Sequence, residues 1–399
     1  MSVEVNGRQG PTFDGIGDNS IIFAADGGRL AYSALHRGKW TVVKDDIPLE
    51  PCDAIGTGTP IFSPDGKRLA YIAKSGGEVR VVVDGHVGPA FDAIGSGDGG
   101  LIFSPDSRRI AYVARRDARW TVVMDDRQEQ WCDGIVKGTP VFSPDSSHLA
   151  YGAISGRMTT LVLDGKPSHR HDQIGASSLH FSPNSKRLAY MATDAGKVYV
   201  SVDGIVSKGY EGVAEKSPMF SSDSERVAYA ACRHGRWFVV VDEQTQTEYD
   251  GIGGTLAFSP NSRRIGYWAG RGSRRFIVVD TEEGDSFDAL AKDSPVFSPD
   301  SRDFVYAGRR SNGFSAVRSQ EVQMTWDWDA IAATPHFSSD SQHVAYVARR
   351  QGKWFAVADN QQSDAYDNIM NGKVYWDSEK RFHYLCHSGN KFLLVESEL

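Results

Sequence analysis

The motif Phe103-Ser104-Pro105-Asp106-Ser107-Arg108-Arg109-Ile110-Ala111-Tyr112 decides the fold, because versions of it recur along the whole chain. Its aromatic residue returns about every 39 residues, at Phe23, Phe62, Phe103, Phe142, Phe181, Phe220, Phe258, Phe297, Phe337 and Trp376. A tyrosine follows each of these aromatics by eight or nine residues, from Tyr32 through to Tyr384. Even repetition at such a period marks an array of one supersecondary unit. The sequence therefore predicts a single repeat domain over residues 1–399, with no linker and no second domain type.

Each repeat is predicted to hold four short antiparallel strands, a to d. In the second copy strand a covers residues 59–63, Pro64-Asp65-Gly66 forms a tight turn, and residues 68–73 alternate like a half-buried strand b. Strand c is rich in β-branched residues and often ends in a hairpin dipeptide such as Asp84-Gly85. Strand d is assigned to an aromatic-Asp-x-Ile segment, for example residues 91–94. Such units repeated around an axis predict an all-β, single closed β-propeller of about ten four-stranded blades.

The repeat core resembles the TolB-type, WD-repeat-like β-propeller family. The resemblance rests on the Phe-Ser-Pro-Asp-Ser/Gly-x-Arg-Leu/Ile-Ala-Tyr pattern and covers essentially the whole chain. It implies a propeller that serves as a protein-docking platform or as an accessory domain beside an enzyme. The chain departs from the periplasmic members of that family because it shows neither a signal sequence nor a second domain.

The two ends of the sequence predict how the ring closes. Residues 3–17 match residues 81–95, which form a complete c–d hairpin, whereas the C-terminus stops after strand c at residues 392–395. We therefore expect the N-terminal strand d, near residues 13–16, to complete the last blade. The sequence then contains one strand-c segment more than ten blades require, and residues 3–5 are the segment expected to lie at a sheet edge. Two stacked five-bladed rings are the alternative.

Composition and cysteine usage predict a soluble protein without disulfides. The chain has no run of about 18 apolar residues and no basic or apolar leader after Met1, so neither a membrane span nor a secretory signal is expected. Its four cysteines lie far apart without a C-x-x-C spacing, which favours reduced thiols. We expect a cytoplasmic protein that is monomeric.

The recurrent carboxylate of strand d does not predict catalysis. A catalytic acid is normally singular, because one special environment sets its pKa. A residue used in every copy is better explained by hydrogen bonds to turn backbone or by pairing with a neighbouring arginine. The set is Asp14, Asp53, Asp92, Asp133, Asp172, Glu211, Asp250, Asp288, Asp329 and Asp367.

Other motifs with known chemistry are missing or weak. The chain has no G-x-S-x-G, H-E-x-x-H or P-loop motif. The segment His169-Arg170-His171-Asp172, near His180, has metal-ligand residue types, but a solvated hairpin is the favoured interpretation. The sequence therefore predicts no catalytic residue, no metal and no cofactor.

Charge becomes informative once it is sorted by loop. The b–c turns hold 20 basic and three acidic residues, a balance of +17, whereas the c–d connections on the other side balance at −13, within a net charge of −7. A single-sign surface steers oppositely charged partners. We therefore predict a non-enzymatic interaction scaffold that docks an acidic protein. Nucleic-acid binding through phosphates and a hydrolase or lyase in the central channel are the alternatives.

The predicted partner-binding residues come from these turns and from two divergent copies. Exposed arginine and aromatic residues are the usual anchors of interfaces. Trp326 is predicted to form a separate contact on the opposite side, with filling of a gap between blades as the alternative. The arginines of the predicted surface are Arg115, Arg116, Arg233, Arg309, Arg310, Arg349 and Arg350.

Overall fold

A computed structural model describes residues 1–95, 99–311, 313–319, 321–359 and 361–399, with the side chains of residues 321–327 left out. The contacts divide the chain into two compact units, Met1–Lys208 and Gly209–Leu399. The all-β prediction is confirmed, since the described residues form antiparallel strands and a single 3-10 turn. No helix in the described part of the chain is long and apolar enough to cross a membrane.

The first unit holds a two-stranded sheet and five larger sheets, one for each of the first five repeats. Its strands are β1 (Glu4–Val5), β2 (Arg8–Gln9), β3 (Gly15–Ile16), β4 (Ile22–Phe23), β5 (Leu30–His36), β6 (Lys39–Lys44), β7 (Ile47–Pro48), β8 (Ala54–Ile55), β9 (Ile61–Phe62), β10 (Leu69–Ser75), β11 (Glu78–Val83), β12 (His86–Val87), β13 (Ala93–Ile94), β14 (Leu101–Phe103), β15 (Ile110–Arg116), β16 (Arg119–Met124), β17 (Arg127–Gln128), β18 (Gly134–Ile135), β19 (Val141–Phe142), β20 (Leu149–Ser155), β21 (Met158–Leu163), β22 (Lys166–His171), β23 (Gln173–Ile174), β24 (His180–Phe181), β25 (Leu188–Asp194), β26 (Lys197–Val202) and β27 (Ile205–Val206).

The second unit holds the sheets of the other five repeats, numbered sheets 6 to 10. Its strands are β28 (Gly212–Val213), β29 (Met219–Phe220), β30 (Val227–Arg233), β31 (Arg236–Val241), β32 (Gln244–Thr245), β33 (Gly251–Phe258), β34 (Ile265–Arg271), β35 (Arg274–Val279), β36 (Glu282–Phe287), β37 (Ala289–Leu290), β38 (Val296–Phe297), β39 (Phe304–Arg310), β40 (Gly313–Arg318), β41 (Glu321–Trp328), β42 (Ala330–Ile331), β43 (His336–Phe337), β44 (Val344–Arg350), β45 (Lys353–Ala358), β46 (Gln361–Gln362), β47 (Asn368–Ile369), β48 (Tyr375–Trp376), β49 (Arg381–Ser388) and β50 (Lys391–Glu398), with the 3-10 turn at Met370–Gly372.

The assignment of strand d in the sequence analysis is wrong. In sheet 2 the order is β12, β11, β10 and β8, and β9 also pairs with β10. The segment after the recurrent acid is thus the first part of strand a: β8 pairs with one end of strand b and β9 with the other. Strand d is the short β12 together with an aromatic such as Phe91, which bridges to Val79 on strand c. The recurrent acid therefore lies where the chain crosses from one sheet to the next.

The Ser-Pro-Asp-Ser turn joins consecutive sheets as well as strands a and b. In six turns of this type the last serine adopts a φ of 63–67°, a left-handed conformation that normally favours glycine. The serine oxygen accepts a hydrogen bond from a backbone N–H in the turn of the preceding sheet, which gives the serine a function that glycine lacks. The pairs are Asp65–Ser107, Asp106–Ser146, Asp145–Ser185, Asp223–Ser262, Asn261–Ser301 and Asp300–Ser341.

The core lies between the faces of consecutive sheets within each unit. In sheets 1 to 9 the middle of strands b and c is buried on both faces; Ala111 and Tyr112, neighbours on β15, are 0% and 1% exposed. Tyr112 packs toward sheet 2 beside Phe91, and Ala111 packs toward sheet 4. This two-sided burial explains the near-continuous apolar character of strand b, which the sequence analysis treated as alternation.

The predicted pairing of residues 13–16 with the last strand is wrong. Gly15 and Ile16 form β3, which pairs with β5 as strand a of sheet 1. The surplus segment instead folds into the hairpin β1–β2. Val3 and Val5 pack against Phe13 and Tyr32, so the hairpin covers an apolar face of sheet 1.

Candidate docking surface

The b–c hairpins and the recurrent acids lie together. Nine of the ten acids accept a hydrogen bond from a backbone N–H of the b–c hairpin in the sheet that they enter, at 2.6–3.0 Å. Asp53, for example, accepts from Gly76 at 2.8 Å. The tenth acid, Asp288, faces the hairpin between β39 and β40, where residue 312 lies outside the described residues. The structural interpretation of this acid, by hydrogen bonds to turn backbone, is confirmed.

Four of these acids also bind a base from the preceding sheet. Lys39 contacts Asp53 and Lys353 contacts Asp367, each at 2.5 Å. Arg236 pairs with Asp250, and Arg274 lies 3.2 Å from Asp288. Asp53, Asp250 and Asp367 thus link strand c of one sheet to the b–c hairpin of the next.

These bonds hold the carboxylates in their charged form. Its hydrogen bond to Lys39 and that from the Gly76 amide lower the pKa of Asp53, and the Lys353 ammonium does the same for the pKa of Asp367. For Asp250, the hydrogen bond from the Gly272 amide is the largest cause of a lowered pKa. The sequence-based balance of +17 omitted these ten charges, and their inclusion reduces it to +7.

The predicted arginines fall into two rows with different surroundings. The side chains of neighbouring residues on a strand point to opposite faces of the sheet. Two consecutive arginines at the end of strand b therefore have different surroundings and different exposure. We call the inner row Arg116, Arg233, Arg310 and Arg350, and the outer row Arg115, Arg309 and Arg349.

The inner row is half-buried and covers aromatic rings of the core. Arg116 lies 4.9 Å from the ring centre of Phe91 and donates a hydrogen bond to the Ala90 carbonyl at 2.5 Å. Arg310 lies 4.4 Å from Phe287 and pairs with Asp285 at 2.7 Å. Arg350 lies over Trp328 at 4.9 Å, and Arg233 over Phe238 at 5.4 Å. Cation–π contact and stem packing give this row a structural role.

The outer row is exposed at the ends of the hairpins. Arg115 extends over the half-buried Trp120 at 5.6 Å, and Arg349 over Trp354 at 5.4 Å. Arg309 occupies the same place on β39 and is also exposed. Arg115 belongs to the first unit, whereas Arg309 and Arg349 lie on consecutive b–c hairpins of the second. The side chain of Trp326 lies outside the described residues, so its predicted contact stays a prediction.

A cleft on the b–c side between sheets 4 and 5 was not predicted from the sequence. It has a volume of about 630 Å³ and is lined by isoleucines from both sheets, Ile135, Ile154 and Ile174. Lys137 and Arg157 lie at its rim. The signal in the sequence was Thr159, which stands where sheets 1, 3, 6 and 9 have tryptophan.

Of the histidines singled out in the sequence, His171 lies inside a sheet, whereas His169 is exposed. His171 is 5% exposed and bonds Asp194 at 2.6 Å and the Tyr190 hydroxyl at 3.1 Å. Among the described residues no group of three or more histidine, cysteine or acidic side chains is arranged to hold a metal. The four cysteines are unpaired, and burial raises the pKa of the Cys52 and Cys132 thiols.

Comparison with known proteins yields structural neighbours only. No protein-family model and no curated protein sequence matches the chain. A solved eukaryotic initiation factor is 16% identical, over 78% of this chain and 88% of that chain, with a TM-score of 0.44. TolB from Acinetobacter baumannii is 15% identical, over 66% and 84%, with a TM-score of 0.28. The β-propeller domain of Myceliophteria thermophila Cps50 (Swd1) is 12% identical, over 66% and 98%, with a TM-score of 0.27. Likeness at these identities concerns the fold alone.

Proposed function

We propose that this chain is a non-enzymatic interaction scaffold, cytoplasmic and monomeric, that docks an acidic protein through the outer-row arginines of its b–c hairpins. The observation that carries the proposal is the division of the arginines into two rows. The inner row is half-buried over rings of the core, whereas the outer row is exposed, and there Arg115 and Arg349 extend over half-buried tryptophan rings. Exposed arginine is among the residues that most often anchor interfaces.

The charge of the hairpin side supports an acidic partner. After the recurrent acids are included the balance is +7, and Glu283 and Asp285, which pair with Arg271 and Arg310, lower it to +5, although the whole chain is at −7. A surface whose sign differs from that of the rest of the molecule orients an approaching partner and raises its association rate. The guanidinium fork also suits carboxylates, which it can bind through two parallel hydrogen bonds.

An acidic protein is favoured over nucleic acid because, among the described residues at the start of strand c, Phe392 is the one strongly exposed ring, and a single ring offers little surface for stacking. Binding of single strands combines a basic groove with exposed aromatic rings on which bases stack. On the hairpin side Trp120 and Trp354 are half-buried, and Arg115 and Arg349 extend over their rings. The partner is therefore expected to be recognised through charge and hydrogen bonds rather than by base stacking.

The test compares two charge reversals of equal size. The docking variant is Arg115→Glu, Arg309→Glu, Arg349→Glu; the control is Lys67→Glu, Arg108→Glu, Arg302→Glu, which changes exposed bases of the a–b turns. The probe is labelled poly-L-glutamate, and association rates are measured from low to high salt. We expect the docking variant to associate at least tenfold more slowly at low salt and the control to remain near the wild-type rate.

Two outcomes would refute the proposed surface. One is an equal loss in both variants, because the effect would then reflect net charge alone. The other is tighter binding of a thymidine oligonucleotide than of poly-L-glutamate, with a steep decline in salt, which would favour the nucleic-acid alternative.

We further propose that the ten sheets close into one propeller ring with the β1–β2 hairpin as its clasp. Two observations support this proposal. Val3 and Val5 pack on sheet 1 in the way that Val81 and Val83 of strand c pack on the following sheet. Strand β50 pairs with β49 and carries Phe392 and Leu394 with 66% and 64% of their surface exposed. Pairing of β1 with the outer edge of β50 would bury apolar surface and would give hydrogen-bond partners to the backbone N–H and C=O groups of an edge strand.

A further inference from the structure

The tryptophan at the start of strand c packs between consecutive sheets. Trp120 contacts the core between sheets 3 and 4, Trp237 that between sheets 6 and 7, and Trp354 that between sheets 9 and 10. Each occupies the end of the sheet interface nearest the b–c hairpins. The tryptophan thus fills this end of three interfaces, whereas Trp40 of sheet 1 lines a smaller cleft, of about 400 Å³, between sheets 1 and 2.

Sheet 4 has Thr159 at this position, where it is 4% exposed and contributes to the wall of the cleft. Thr159 lies across from Ile154 on strand b and from His171 on strand d. The His171 ring is held by Asp194 and Tyr190, at 2.6 and 3.1 Å. The cleft of about 630 Å³ between sheets 4 and 5 lies at this end of the interface. Volumes of ~300–1,000 Å³ are typical of ligand pockets.

The lining of the cleft combines an apolar floor with basic side chains at the mouth. Ile135 and Ile154 come from sheet 4 and Ile174 from sheet 5, while Lys137 and Arg157 are exposed at the rim. Asp172 also lies at the rim, where one of its carboxylate oxygens accepts the Ala195 amide at 2.8 Å. The rim thus holds two cations and one carboxylate that is already hydrogen-bonded. A ligand that suits this cleft would place an apolar group on the isoleucine floor and acidic groups near the two cations.

We propose that this cleft binds an aromatic side chain presented by an acidic segment of a partner protein. The proposal rests on the docking function above and names the anchor of that partner. A tryptophan or tyrosine of the partner would take the place that Trp120 or Trp237 takes in other sheets. Flanking acidic residues would pair with Lys137 and Arg157. Aromatic anchors in a central pocket with a charged rim are the usual organisation of interface hot spots.

The test uses a labelled Glu-Asp-Trp-Glu-Asp peptide and its counterpart with alanine in place of tryptophan, followed by fluorescence anisotropy. We expect the tryptophan peptide to bind at least tenfold more tightly than the alanine peptide. Thr159→Trp fills the cleft with the residue that other sheets carry and should weaken binding at least tenfold. Thr159→Val keeps a side chain of similar size and should stay within twofold of wild type.

A second variant keeps the proposal testable if Thr159→Trp does not fold. Ala176→Trp adds bulk at an exposed position of the rim and should block the mouth without disturbing the core. If Thr159→Trp or Ala176→Trp melts like the wild type and binds the tryptophan peptide equally well, the proposal is wrong. Equal binding of the two peptides by the wild-type protein would also overturn it.

The same measurements separate this proposal from the docking surface. If the outer-row reversal abolishes poly-L-glutamate binding while Thr159→Trp leaves peptide binding unchanged, the cleft is excluded and the surface stands. If Thr159→Trp abolishes peptide binding while the outer-row reversal behaves like its control, the docking surface is excluded and the cleft stands.

Discussion

The hydrogen bond of Ser146 to the preceding sheet provides a test of how the repeats are joined. The Ser146 hydroxyl accepts from the Asp106 amide at 2.9 Å, the serine is 4% exposed, and its φ is 65°. A net hydrogen bond is worth ~1 kcal/mol, and a left-handed φ costs a residue with a Cβ ~1 kcal/mol relative to glycine. Ser146→Ala loses the hydrogen bond and keeps the strain, so we expect a loss of ~1 kcal/mol. Ser146→Gly loses the bond but relieves the strain, so it should retain more stability than the alanine variant, by up to ~1 kcal/mol.

The assay combines urea unfolding with hydrogen exchange of the Asp106 amide. Both variants should exchange this amide about fivefold faster, the factor that corresponds to ~1 kcal/mol. Ser155→Ala, at the exposed end of β20, is the control and should change neither quantity. If the glycine variant is less stable than the alanine variant, the strain argument is refuted. If Asp106 exchanges at the wild-type rate in both, the inter-sheet hydrogen bond does not contribute as proposed.

Three further predictions concern the rows of arginine, acid stability and the clasp. Arg310→Ala should cost ~1 kcal/mol in urea unfolding because its ring contact and ion pair are lost, whereas Arg309→Ala should change stability by less than ~0.5 kcal/mol; equal effects would argue against two rows. The Ser104 hydroxyl lowers the pKa of Asp106, so the stabilisation is present above the ordinary carboxyl pKa of ~3.9 and is lost as pH falls below it. Asp106→Asn should therefore flatten the decline of Tm between about pH 5 and pH 2, and an unchanged slope would contradict this assignment. Deletion of residues 1–10 removes β1 and β2 while keeping β3, and should lower Tm and promote aggregation if the hairpin is a clasp; an unchanged melting curve with a monomeric protein would count against it.

The repeat motif alone determined the all-β fold class. Phe-Ser-Pro-Asp-Ser at even spacing predicts a strand, a turn and a strand from local backbone preferences, and Asp84-Gly85 predicts a hairpin from its tolerance of positive φ. Both are confirmed, with φ values of 52° and 85° at Asp84 and Gly85. The structural role of the recurrent acid also followed from repetition, because no single environment could make ten residues catalytic.

Tertiary structure decided which sheet each short segment joins and what each charge contacts. Ala54 and Ile55 follow strand d in sequence, yet they pair with strand b of the next sheet, and two-residue strands carry too little pattern to reveal their partner. Arg115 and Arg116 are equivalent in a charge count, but the alternation of the strand exposes one and places the other over Phe91. Charge in a sequence is a sum over residues, whereas binding depends on which charges remain exposed once neighbouring sheets have supplied their partners.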